Sequence, residues 1–210
     1  MKFNIKKVVI PLVIANLVVF ILQIVLGNKF TQAFMLISSD VLTRPWILFT
    51  SMFLHGSANH ILFNMYGLFM FGQFLEQKIG PKRFLAVYLA SGIVASFLAQ
   101  FFYPAALGAS GAIMGMLGAL IILMPNLRLL FLFFIPMPLW VAGIVWAFLD
   151  TFGIFFPSGV GNIAHLVGLG AGLLFGLYFK KQKTEYLKKF SSASHLNSED
   201  IKEYLKSGKI

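Results

Sequence analysis

The sequence predicts an all-α, polytopic membrane protein: a bundle of six transmembrane helices with both termini in the cytoplasm. Of its 210 residues, 59% are apolar and only 11% are charged, and the mean hydropathy is +0.84. A soluble domain carries roughly 25% charged residues. Six apolar runs approach the ~17–25 residues that cross a bilayer. The basic residues between these runs collect on one side, which is typical of cytoplasmic connections.

The first apolar run, residues 8–26, follows a short basic segment and so resembles a signal peptide. It is too long for one, and no small-residue cleavage site follows it, so we interpret it as a retained helix. Residues 27–59 are too mixed to span and are predicted to form a long loop.

The other five runs have 14 to 19 residues each. The fourth has only 15 residues, so it needs neighbouring helices around it to lie below the membrane surface. Pro136 and Pro138 interrupt the chain before the fifth run, which is therefore expected to start near Met137. These five runs cover residues 60–75, 84–102, 110–124, 137–150 and 163–179.

The basic residues set the expected orientation. All but two of the 17 Lys and Arg residues lie at the N-terminus, in the second-to-third and fourth-to-fifth connections, or in the tail. The exceptions, Lys29 and Arg44, lie in the long first loop, which is therefore predicted to be outside. The predicted domains are a membrane domain, 1–180, and a basic cytoplasmic tail, 181–210, in which Asn197 and Gly208 are typical of the ends of one short helix.

The net charge of +10 is better explained by anionic lipid headgroups facing the tail than by nucleic acid. The absence of cysteine excludes disulfides, thiol catalysis and thiolate metal sites. We expect no cofactor and no metal site, because no HExxH motif or third ligand accompanies the histidines. The oligomeric state is left open.

Four polar residues, His60, Asn64, Ser110 and His165, lie in apolar sequence, where a polar group is costly unless it has partners. They open the second, fourth and sixth spans, which run in the same direction, so all four are predicted to lie in the outer third of the membrane. Asp150 ends the fifth span near the same face, but a long connection separates it from His165. No acid is therefore obviously placed to complete a triad.

Ser110 lies in a Gly-x-Ser-Gly turn that enters a helix, where unpaired backbone N–H groups favour a developing anion. The alternative is an ordinary helix-capping serine. His60 and Asn64 share one helix face and could donate hydrogen bonds to a tetrahedral oxygen. Their alternative is a structural contact between helices.

His165 precedes a face of small residues that favours close helix packing, and the fourth span has a matching face. Such packing would bring His165 within hydrogen-bond reach of Ser110, as a nucleophile and its base require. The alternative is a histidine bonded to a backbone carbonyl. The glycines at the turn and on the two faces are Gly108, Gly111, Gly115, Gly118, Gly168, Gly172 and Gly176.

Together, these motifs resemble the rhomboid intramembrane serine proteases from about residue 46 to 179. The carrying segments are His60-Ile-Leu-Phe-Asn64, Gly72-x-x-x-Glu76-x-x-x-Gly80, Gly108-Ala-Ser110-Gly111 and Ala164-His165-x-x-Gly168-x-x-x-Gly172. One departure is that Trp46 is followed by isoleucine where the family often has arginine, which affects the anchoring of the first loop rather than the chemistry.

The resemblance implies a six-helix bundle of the rhomboid type around a cavity open to the outside. It implies Ser110 as nucleophile and His165 as general base, acting as a dyad. It also implies an oxyanion hole formed by His60, Asn64 and the Ser110 N–H. Transmembrane proteins would be the substrates, entering near the second and fifth helices.

Two alternatives are an inactive rhomboid-like protein that binds membrane clients and a transporter. The intact serine and histidine argue against the first, and the scarcity of polar residues at mid-membrane argues against the second. We further expect the location to be the plasma membrane of a prokaryote.

Overall fold

The computed structural model describes residues 7–131, 135–156 and 159–191, and most of these are helical. An α-helix of the described part overlaps each of the six predicted spans, and one further short α-helix lies in the first loop. In chain order the helices are α1 (Val9–Phe34), α2 (Ile47–Thr50), α3 (Ala58–Ile79), α4 (Pro81–Ala99), α5 (Ser110–Leu123), α6 (Leu139–Gly153) and α7 (Asn162–Ser191).

Helix α5 is the centre of the fold. Every residue from Gly111 to Leu120 is buried, with α3, α4 and α7 packed around it. At 1.5 Å per residue its 14 residues extend about 21 Å, less than the ~30 Å of a bilayer's hydrocarbon core. Such a short helix leaves room for the polar residues at its N-terminus to lie below the level of a membrane surface.

The first helix is longer than predicted. It continues through Gly27, where φ is +70°, and ends at Phe34, so the prediction that the whole of 27–59 is loop is wrong. Glycine adopts this positive φ at little cost, which lets the chain bend and remain helical beyond it. The Gln23 amide also donates across the bend to the Thr31 hydroxyl, at 3.2 Å.

Two short antiparallel ladders were not part of the all-α prediction. Strand β1 (Leu36–Ile37) pairs with β2 (Ala105–Ala106), which joins the first loop to the segment before α5. Strand β3 (Arg128–Phe131) pairs with β4 (Ile135–Pro138) and joins α5 to α6. Pro136 and Pro138 delay the start of α6 as expected, but the extended backbone that they favour forms a strand.

Three helices in the described part are long and apolar enough to cross a membrane: Val9–Phe34, Pro81–Ala99 and Asn162–Glu185. Helices α5 and α6 are apolar but shorter, and α3 carries Gln73, Glu76 and Gln77 in its last turns. Helix α7 runs past residue 180 without a break, so the boundary at 180 stays a prediction. The tail helix predicted between Asn197 and Gly208 lies outside the described residues.

Candidate active site

The chain enters α5 through a sharp turn at Gly108. Its φ is +125°, a conformation that side chains other than glycine's rarely adopt, and its N–H donates to the Ser51 carbonyl at 2.9 Å. Ala109 is the N-cap and makes no side-chain capping bond, so Ser110 is the first helical residue. The helix-capping alternative for Ser110 is therefore wrong. Its hydroxyl is available for other chemistry, and its N–H belongs to the helix terminus that has no intrahelical acceptor.

The His60 imidazole packs directly on this turn. A Cβ on Gly108 would lie 2.8 Å from both Cε1 and Nε2 of His60, and 3.8 Å from the Ser110 hydroxyl. The Gly56 N–H donates to His60 Nδ1 at 3.3 Å, so the neutral ring carries its proton on Nε2. His60 therefore presents a donor beside the Ser110 turn.

Asn64 lies one turn further along α3 and is buried. Its Nδ2 donates to the His60 carbonyl at 2.8 Å, which uses one of its two amide hydrogens. The other hydrogen is left for an acceptor in the cavity. This bond stays within α3, so it does not supply the helix–helix contact of the structural alternative.

The glycine faces bring α5 and α7 into backbone contact. A Cβ on Gly168 would lie 2.0 Å from the Gly111 carbonyl oxygen, and one on Gly172 would lie 1.9 Å from that of Gly115. No side chain fits at that distance, so the helices approach as closely as they do only because these positions are glycines. The contact places the first turn of α7, with His165, near the first turn of α5.

Asp150 reaches His165. Its Oδ1 lies 2.9 Å from His165 Nδ1, and the Asp150 and His165 side chains are only 6% and 13% exposed. The prediction that no acid is placed to complete a triad is therefore wrong as geometry. Asp150 is one turn before the end of α6 and His165 is in the first turn of α7, so the connection folds these two ends together. The sequence places both residues at the same membrane face, but it does not show that the two helix ends meet.

The four predicted site residues all line one cavity of about 1120 Å³. The structure records no hydrogen bond between the Ser110 hydroxyl and the His165 imidazole, and bonds of this kind often tighten only in a substrate complex. No group of three or more metal-ligating side chains occurs in residues 7–131, 135–156 and 159–191. The shared cavity is lined by His60, Asn64, Ser110 and His165, with Gly108 and Gly111 at the turn.

His55 is a buried histidine of the first loop. The Gln23 side chain accepts from its N–H at 2.9 Å and donates to its carbonyl at 3.3 Å, which fixes the loop to α1. Its ring lies 5.1 Å from that of His60, and burial, with the neighbouring His60 as a second cause, lowers its pKa from 6.5 to about 4. The His55 ring is therefore neutral at neutral pH and lies next to the ring of His60.

Residues 42–182 match the rhomboid domain family. Among curated proteins, the chain is 34% identical over 188 residues to Rhomboid protein 1, mitochondrial, of Saccharomyces cerevisiae, covering 84% of this chain and 54% of that protein. It is 34% identical over 186 residues to the human Presenilin-associated rhomboid-like protein, mitochondrial, covering 83% and 48%. It is 38% identical over 130 residues to the Rhomboid protease GluP of Bacillus subtilis, covering 60% and 24%. The chain thus spans about half the length of the first two proteins and a smaller part of the third.

These relatives correct the predicted location. The yeast and human relatives, which cover 84% and 83% of the chain, are mitochondrial proteins of eukaryotes, so the prediction of a prokaryotic plasma membrane is wrong. Hydropathy and charge indicate that a chain lies in a bilayer and which way it faces, but they do not distinguish one cellular membrane from another. The match over residues 42–182, on the elements that carry the site, shows that the chain belongs to the rhomboid family.

Proposed function

We propose that this chain is a serine endopeptidase that hydrolyses peptide bonds in or near the transmembrane segments of membrane proteins. Rhomboid-family proteins act on membrane-protein substrates, and one relative is named a protease. The observation that carries the proposal is the single cavity shared by Ser110, His165, His60 and Asn64.

In the proposed reaction the Ser110 hydroxyl attacks the substrate carbonyl while His165 accepts its proton. The oxyanion that forms would accept hydrogen bonds from the Ser110 N–H, His60 Nε2 and Asn64 Nδ2. His165 then protonates the leaving amine, and water releases the acyl group from Ser110. No metal or cofactor takes part in these steps.

The membrane arrangement is part of the proposal. Helices α1, α3, α4, α5, α6 and α7 would each cross or enter the bilayer, which places both termini on the side that holds most of the basic residues. The site then lies in the outer third. Residues of α3 and of α6 line the same cavity, among them Met70 and Ala142, which supports lateral entry of a substrate between these helices.

A substrate helix hides its carbonyls in internal hydrogen bonds, so it must unwind locally before Ser110 can reach one. Helix-weakening glycine or proline near the scissile bond should therefore increase cleavage. The membrane domain, 1–180, would carry the reaction, and the tail, 181–210, would contact lipid headgroups.

The test compares the native chain with Ser110→Ala and His165→Ala in detergent and in liposomes. Cleavage of a model transmembrane substrate and labelling by a serine-directed fluorophosphonate should both be lost in Ser110→Ala. Ser39→Ala, which removes an exposed serine of the first loop, should retain both. Activity of Ser110→Ala within tenfold of native would overturn the proposal. A native chain that binds transmembrane segments but neither cleaves nor labels would instead be a client-binding protein.

A further inference from the structure

Asp150 is the acidic side chain that contacts His165. His165 lines the same cavity as His60 of α3 and Ser110 of α5. Asp150 thus supplies a carboxyl group next to the proposed general base.

This placement is costly for the fold. Asp150 is only 4% exposed, and its Oδ2 has no hydrogen-bond partner in the part of the chain that the structure describes. A buried carboxylate with one partner is weak support for stability, because its desolvation can exceed what the pairing returns. Apolar side chains alone could hold α6 against α7. Stability of this helix contact therefore does not explain why a carboxyl group is buried here.

The geometry of the contact between Asp150 and His165 suggests a role for the carboxyl group. An ionised Asp150 carboxylate can only accept a hydrogen bond, so across the 2.9 Å between Asp150 Oδ1 and His165 Nδ1 it would hold the ring proton on Nδ1. The neutral ring then has its lone pair on Nε2. This is the tautomer that a general base needs when its other nitrogen is held by a carboxylate.

We infer that Asp150 is a positioning residue for His165: it holds the imidazole in the tautomer whose Nε2 can accept the Ser110 proton. When the Ser110 O–H bond gives its proton to Nε2, the ring becomes an imidazolium that lies beside the Asp150 carboxylate. His165 is in the first turn of α7, where the positive end of the helix dipole disfavours a cation. The carboxylate offsets that effect. The expected effect of Asp150 on kcat rests on the proposed function, whereas the tautomer of His165 does not.

The first test is direct and needs no activity. Histidine side chains labelled with ¹⁵N show by NMR which ring nitrogen bears the proton, and the His165 signals are identified by their loss in His165→Ala. In the native chain in detergent the proton should be on Nδ1, and in Asp150→Asn the Nε2 form should appear. A native His165 with its proton on Nε2 would overturn the inference, whether or not the chain proves to be a protease.

The second test is kinetic. Asp150→Asn keeps the volume but removes the obligatory acceptor; the corresponding change in a Ser-His-Asp protease lowers kcat roughly 10⁴-fold. Here kcat should fall at least ~100-fold with KM nearly unchanged, since substrate binding does not use Asp150, and Asp150→Glu should recover part of the loss. Asp40→Asn is the matched control: it removes a carboxylate whose partners, Ser39 and Arg44, lie in the first loop, and should retain native kcat.

Several outcomes separate the possible roles. A folded Asp150→Asn with kcat within threefold of native would show that the contact only joins α6 to α7. If Asp150→Asn does not fold, the tautomer of the native ring still decides. If the native chain cleaves no substrate but its His165 carries the proton on Nδ1, the proposed function is wrong. The inference that Asp150 positions His165 would still hold.

Discussion

Gly168 and Gly111 touch through their backbones: a Cβ built on Gly168 would lie 2.0 Å from the Gly111 carbonyl oxygen. Gly111 directly follows Ser110 and Gly168 lies one turn after His165, so this contact sets the separation of the proposed nucleophile and base. The distance leaves no room for a methyl group. The smallest possible side chain at Gly168 must push α7 away from α5.

Gly168→Ala should therefore both destabilise the protein and reduce cleavage. Overpacking of this kind costs ~1–3 kcal/mol or more, measured as a lower thermal unfolding temperature in mild detergent. Gly170→Ala is the matched control, because a Cβ there meets nothing within 4 Å and alanine favours the helix. Equal unfolding temperatures for the two variants would contradict the packing explanation.

Asn64→Ala should lower kcat with little change in KM, because an oxyanion donor stabilises the transition state more than the bound substrate. Loss of one such donor costs ~10²–10³ in kcat in a well-studied hydrolase. Fluorophosphonate labelling should fall without vanishing, since Ser110 and His165 remain. Asn59→Ala, an exposed residue of the same helix, serves as the control. If Asn64→Ala unfolds readily while its folded fraction keeps full kcat, Asn64 is structural.

His55 should make the protein less stable in mild acid. Its pKa is lowered from 6.5 to about 4 in the fold, so between these values the unfolded chain binds a proton that the folded chain does not. The contribution of the neutral His55 ring to the free energy of unfolding is complete above about pH 6.5, and it declines as the pH falls towards 4. Both ring nitrogens are buried, so His55→Phe, which replaces one buried planar ring by another, should be tolerated.

The measurement is the unfolding temperature of native and His55→Phe protein between pH 7 and pH 4.5. The native curve should fall more steeply on acidification. Curves that stay parallel over this range would show that His55 does not titrate on unfolding.

Chelators should leave cleavage unchanged. The proposed reaction uses side chains and one backbone N–H, and no metal-ligand group of three or more side chains occurs in the described segments. Activity with and without EDTA, followed by zinc addition, provides the measurement. Activity lost in EDTA and restored by zinc would show that His60 and His165 act as ligands.

The sequence by itself determined that helices form at the six apolar runs, and it named the residues proposed for the site. Long apolar runs have few ways to satisfy their backbone groups other than as helices, and small residues every fourth position mark a contact face whatever the partner. The local sequence also predicted the position of Ser110, since a Gly-x-Ser-Gly turn before an apolar run indicates a serine at a helix start.

Tertiary structure decided what depends on contacts between distant segments. Asp150 and His165 belong to different helices, and sequence spacing carries no information on how the connection between them folds. The His60 tautomer depends on a bond from Gly56, and the extension of α1 beyond Gly27 is accompanied by a bond from Gln23 across the bend. Each is a single polar contact made possible by packing, and apolar periodicity reports which face of a helix packs but not which polar atoms meet there.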